Sequence, residues 1–133
     1  MTVKEITKPK THLSEEVHAA IKEQQAQEGQ VIVHCHFKNE SYFEVGIRIW
    51  KTTFLCPTNA EDKIKLMHAE NITMYPTYTG VKAYLSHHFT LVFSALPKDC
   101  SLFHLVEEIP QPGAFRVDNI SRNQTDIYHV NIC

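Results

Sequence analysis

The residues best suited to chemistry are His34 and His36, with Glu40 shortly after them. On a β-strand the side chains at 34 and 36 leave the same face, so both imidazoles can reach one cation, while Cys35 turns into the opposite layer. Two imidazoles and a carboxylate suit Zn, Fe, Mn or Ni, and His88, whose strand parity opposes Phe89 and Leu91, is the further candidate ligand. On this reading the cofactor is one divalent transition metal. The competing reading leaves the histidines on a solvated strand face, Glu40 at a hairpin tip, and no cofactor. A second group is aromatic: Tyr75, Tyr78 and Tyr84 surround the turn-forming stretch Pro76 to Gly80. They can line a ligand groove, or lie as lids on a β core with their hydroxyls in water.

Other constellations fail. The chain has no G-x-S-x-G, H-E-x-x-H, P-loop or G-x-G-x-x-G motif, and its four glycines are too scattered to cradle a phosphate. Cys35 or Cys100 could act as a nucleophile only beside a base in a basic microenvironment, which spacing does not supply. Glu107 and Glu108 fall on opposite faces of a strand and make a poor acid–base pair. With 13 Lys plus Arg against 15 Asp plus Glu, and no block of like charge, the basic face that nucleic acid requires is missing. Nine histidines are the one compositional oddity, and their protonation would reverse the sign of the formal net charge of −2. No membrane association is expected, since no run of roughly 18 apolar residues is present. The polar start of the chain predicts a cytoplasmic protein, with Cys35, Cys56, Cys100 and Cys133 reduced.

The elements that must position these residues are mostly strands. Val31 to Cys56 organises the chain: Val31, Val33, Cys35 and Phe37 alternate with Ile32, His34 and His36, and Val45, Ile47 and Ile49 alternate with Gly46, Arg48 and Trp50. Period two predicts two strands, most simply an antiparallel hairpin around Lys38 to Ser41. Before it, residues 1–11 read as a flexible lead-in and residues 12–29 as an amphipathic helix. That helix has Ser14 as N-cap, Leu13, Val17, Ala20 and Ile21 as a narrow apolar stripe, and Gly29 as its stop. After the hairpin, Ile64 to Met74 predicts a strand broken at His68 to Glu70, and His88 to Ala95 a strand with Phe89, Leu91 and Phe93 inward. Further short strands follow at Leu102 to Ile109, from Phe115, and within Gln124 to Ile132. Six to eight short strands separated by turns have the spacing of a sandwich or a small barrel, and the preferred expectation is an all-β, antiparallel sandwich, immunoglobulin-like or jelly-roll-like, over residues 30–133. Trp50 fits a core tryptophan between two sheets.

Four segments, at 52–56 (TTFLC), 68–72 (HAENI), 89–100 (FTLVFSALPKDC) and 105–123, resemble uncharacterised all-β domains of Bacteroidetes-type bacteria. That resemblance implies a β-sandwich and brings no catalytic residues. Gly29, His34, His36, Glu40 and Gly46 resemble the first cupin motif, which implies a metal held in a β-barrel; both glycine spacings are one residue short, and the second motif has no good counterpart. Two functions are therefore expected. The first is a non-catalytic β module that binds a protein partner or associates with itself through a sheet edge, the helix or the Tyr75, Tyr78 and Tyr84 surface. The second is a cupin-like metalloprotein or metalloenzyme using His34, His36, Glu40 and His88.

Overall fold

Alternating apolar residues set the strands, and their pairing sets where each face goes. The computed structural model describes residues 29–132. Nine strands are present among them: β1 (Val31–Lys38), β2 (Val45–Ile47), β3 (Thr53–Pro57), β4 (Ile64–Glu70), β5 (Thr79–Val81), β6 (Ser86–Phe93), β7 (Leu102–Glu107), β8 (Arg116–Ser121) and β9 (Ile127–Ile132). Seven form one sheet in the order β8-β7-β3-β4-β6-β1-β9, and β2 pairs with β5 in a separate two-stranded flap. All pairs are antiparallel except β1 with β9, which run parallel. The outermost strands β8 and β9 touch, so the sheet curls into a nearly closed barrel. Curling of this kind hides the unpaired edges that an open sheet would expose.

The barrel interior is the core. Val31, Val33 and Cys35 of β1, Leu55 of β3, Leu91 and Phe93 of β6, and Phe103 and Leu105 of β7 are buried in it. Each large side chain there contributes about 2–3 kcal/mol of burial. Ile32, Val92 and Ile127 leave the opposite face and form a second, small apolar group.

The strands run between two ends of different construction. At the turn end, β1 begins, β6 and β3 finish, and the connections 58–63, 94–101 and 122–126 are compact. Arg122 ties this end together: its Nε and Nη2 donate to both carboxylate oxygens of Asp126 at 2.9 and 3.0 Å, and Nη1 donates to the carbonyls of Pro97 and Cys100. The hydroxyl of Tyr128 donates to the same Asp126 carboxylate at 2.8 Å. Its phenol is pushed up to about 12, chiefly by burial. At the flap end lie the flap itself and the long connections 39–44, 71–78 and 108–115.

The all-β expectation holds. The purely antiparallel sandwich does not, because β9 joins β1 in parallel and one seven-stranded sheet closes on itself where two packed sheets were expected. The hairpin also fails: β1 pairs with β6 and β9, while Val45–Ile47 pairs with β5. The strand broken near His68 is found as a register shift in β4 between Leu66 and His68. The predicted lead-in and helix, over residues 1–28, lie outside the described residues.

Candidate functional site

The histidines stand on the outer face of three adjacent strands. Register places Thr90, His34 and His129 in one row across β6, β1 and β9, and His88, His36 and Asn131 in the next. His34 stacks on His129 with ring centroids 5.0 Å apart, and its Nδ1 lies 2.9 Å from Thr90 Oγ1. His36 lies 4.7 Å from the His88 ring, and its Nδ1 is 3.1 Å from Asn131 Oδ1. On β4 beside them, His68 Nε2 meets the Glu70 carboxylate. The sequence thus placed His34, His36 and His88 on one face correctly. The structure does not bring these three and Glu40 together as a ligand set, since among the described residues no group of three or more His, Cys, Asp or Glu converges as metal ligands would. His34 and His36 each turn to a different neighbour pair, and Glu40 belongs to the exposed loop beyond β1.

The flap gathers a different set. Its two strands are antiparallel, so the residues before β2 meet those after β5, and the residues after β2 meet those before β5. One junction holds Arg48, Trp50, Tyr75 and Tyr78. Trp50 stacks on Tyr75 with centroids 3.7 Å apart, and the Arg48 guanidinium carbon lies 4.1, 4.6 and 5.4 Å from the ring centroids of Tyr78, Tyr75 and Trp50. These distances are those of cation–π contacts, and Arg48 is also tied to the Pro76 carbonyl at 3.1 Å. Gly46 makes the junction possible: a Cβ there would lie 2.8 Å from the Tyr78 ring, which rests across the glycine backbone.

The other junction holds Tyr42, Phe43, Tyr84 and Leu85. Tyr42 and Tyr84 meet edge to face with centroids 6.1 Å apart. Buried Asn39 fixes this loop, donating to the Phe43 and Val81 carbonyls at 2.8 and 2.9 Å and accepting from the Ser41 backbone N–H and hydroxyl. Tyr84 sits at φ 64°, a conformation unusual for an aromatic residue. It is held there between the bonds of Leu85 to Asn39 and to Lys82. The sequence therefore singled out Tyr75 and Tyr78, which share the first junction, and Tyr84, which stands at the second. Trp50 is half-buried at the flap, not between two sheets. Tyr42 and Phe43 were missed; the signal was two aromatics directly after the turn-prone Asn39 to Ser41.

Under the flap the barrel mouth leaves a cavity of about 320 Å³, lined mainly by apolar side chains, with Gln111, with Arg48 at the flap and with Glu107 from the end of β7. Glu107 is 6% exposed. Burial pushes its carboxyl above the ordinary carboxylate range, against the opposing pull of the Phe115 and Trp50 backbone and the Arg48 charge. Its neighbour Glu108 points out to Lys63, at 2.7 Å. Burial pushes the Cys35 thiol up to about 12 and raises that of Cys56, which disfavours the thiolate at both.

Compared with protein-family models, with curated proteins and with solved structures, the chain matches none. Roles for these residues therefore rest on their own geometry.

Proposed function

We propose that this domain is a non-catalytic binding module that engages a protein partner, another copy of itself included, through the aromatic flap. One observation carries the reading: among the described residues, seven large apolar side chains are strongly exposed, and six of them (Tyr42, Phe43, Tyr75, Tyr78, Tyr84 and Leu85) flank the flap. Scattered exposed apolar residues are ordinary, but a concentration of aromatics with an arginine is the composition of interface hot spots. The loops that carry them are braced by Asn39, Arg48 and the opposed Gly46 and Gly80. Bracing lowers the ordering cost of association, which is how a modest surface gains affinity.

The test is site-specific photo-crosslinking in cells that make the protein, from a photoreactive residue at position 43 and, as control, at exposed position 61 in the opposite end. A discrete protein adduct from 43 and none from 61 is expected, with an adduct of twice the chain's mass identifying a second copy. Absence of any adduct from 43, or equal adducts from both, overturns the reading.

A further inference from the structure

We infer that the cavity beneath the flap is a binding site for a small zwitterion, a free α-amino acid with an apolar side chain. The cavity volume of about 320 Å³ lies at the low end of small-molecule sites, room for one compact ligand and not for a folded segment. Its walls include Phe37, Phe89, Phe115 and Ile132, a surface suited to an aliphatic or aromatic side chain. Among the described residues its lining holds two charged groups of opposite sign, Glu107 and Arg48.

Glu107 is the decisive residue. It is more than nine-tenths buried; the backbone at Phe115 and Trp50 hydrogen-bonds its carboxylate, and its Oε2 is buried without a partner. Buried polar atoms are almost always satisfied, so this second oxygen is an acceptor that a donor entering the cavity would satisfy. An ammonium group supplies up to three N–H donors together with the charge that favours the ionised carboxylate. Arg48 answers the other half of the ligand. Its guanidinium carries five donors, of which one contact, to the Pro76 carbonyl, anchors it, and its planar fork matches a carboxylate. A simple amine would leave Arg48 as an unfavourable like charge at the mouth, and a simple carboxylate would meet Glu107. A zwitterion satisfies both, and the cavity with its ligand stays electrically balanced.

The inference shares Tyr78 and Arg48 with the partner-binding reading but not Tyr42, Phe43 or Tyr84, which are absent from the lining, so the crosslink from position 43 tests that reading separately. It is tested by isothermal titration of the purified chain with L-phenylalanine and L-leucine. Comparison ligands are 2-phenylethylamine, which lacks the carboxylate, and 3-phenylpropanoate, which lacks the amine. Saturable one-site binding of an L-amino acid is expected, with each single-charge analogue weaker by about tenfold or more, the usual worth of a charge-assisted hydrogen bond. Glu107→Gln keeps the shape and should weaken binding by a similar factor. Arg48→Met should do the same, and because it alters a half-exposed side chain it keeps the test open if the first variant fails to fold. No saturable binding of either amino acid, an analogue binding as well as L-phenylalanine, or undiminished binding in the folded variants would overturn the assignment.

Discussion

The two ends of this barrel are built from the same strands and solve opposite problems. At the turn end, polar groups face one another: Arg122 spends its guanidinium on Asp126 and on two carbonyls, Asp126 also accepts from Tyr128, and Asn123 caps the 122–126 turn through its side-chain oxygen. Gln30 Oε1 is the one unpartnered buried side-chain atom recorded there among the described residues. At the flap end, aromatic rings face water, Arg48 is held by rings instead of a carboxylate, and the buried carboxyl of Glu107 keeps a bare oxygen. A fold needs only one such satisfied end to close its sheet. The other is free to carry surfaces that cost stability and serve recognition.

That contrast breaks most readily at Arg122. Replacing it with alanine strands the Asp126 carboxylate in a largely buried site and releases two carbonyls, so urea denaturation should show a loss of about 2–3 kcal/mol. A loss below about 0.5 kcal/mol would mean that the turn end is not the clamp described above.

A smaller effect is expected at the flap glycines. At Gly46 an added methyl meets the body of the Tyr78 ring, which must leave Arg48, and a cost of about 1–2 kcal/mol should accompany Gly46→Ala. At the opposed Gly80 the methyl meets the end of the Glu44 side chain, which can rotate away, so Gly80→Ala should cost less. Equal costs would show that Tyr78 is not held in place by its neighbours. The shift of the Tyr78 ring resonances in the first variant, and their constancy in the second, is the matching spectroscopic reading.

Glu107 gives the smallest stability effect and the one with a pH signature. Its folded carboxyl is raised above the unfolded value, so its contribution to stability is fully present below the ordinary carboxyl range and is lost as pH rises through the folded value. Glu107→Gln removes that loss. The variant should be more stable than the parent at pH 7 by up to about 1 kcal/mol, and the two should converge in acid. A variant less stable than the parent at pH 7 would mean that the ionised carboxylate is well satisfied and that its bare oxygen has been misread.

How far the sequence reveals all this follows from the range of the forces involved. Period-two alternation is local, so β1, β6 and β9 were legible from Val31, Val33 and Cys35, from Phe89, Leu91 and Phe93, and from Tyr128, Val130 and Ile132. Partner choice is not local. Nothing in Val45 to Ile47 announces that these residues desert the adjacent β1 for β5, and nothing in Ile127 to Ile132 announces a parallel partner, which is why a sandwich was expected and a barrel found. The same limit governs the site. Tyr75 and Tyr78 stood out because Pro76 and Gly80 mark a turn, whereas their union with Arg48 and Trp50 depends on the β2–β5 pairing. Glu107 was within reach: it shares its parity with Phe103 and Leu105, both fully buried, and a charge on the core face of a strand signals either strain or a ligand.

The sharpest comparison of the two ends is a pair of urea denaturation curves, one for Arg122→Ala and one for the double variant Tyr42→Ser, Phe43→Ser. If the flap aromatics exist to be covered by a partner, the double variant keeps the parent's stability within about 1 kcal/mol, since it loses only the exposed edge contact of Tyr42 with Tyr84, while Arg122→Ala falls well below it. A double variant that loses as much stability as Arg122→Ala would contradict the division of labour between the ends, because Tyr42 and Phe43 would then be holding the domain together.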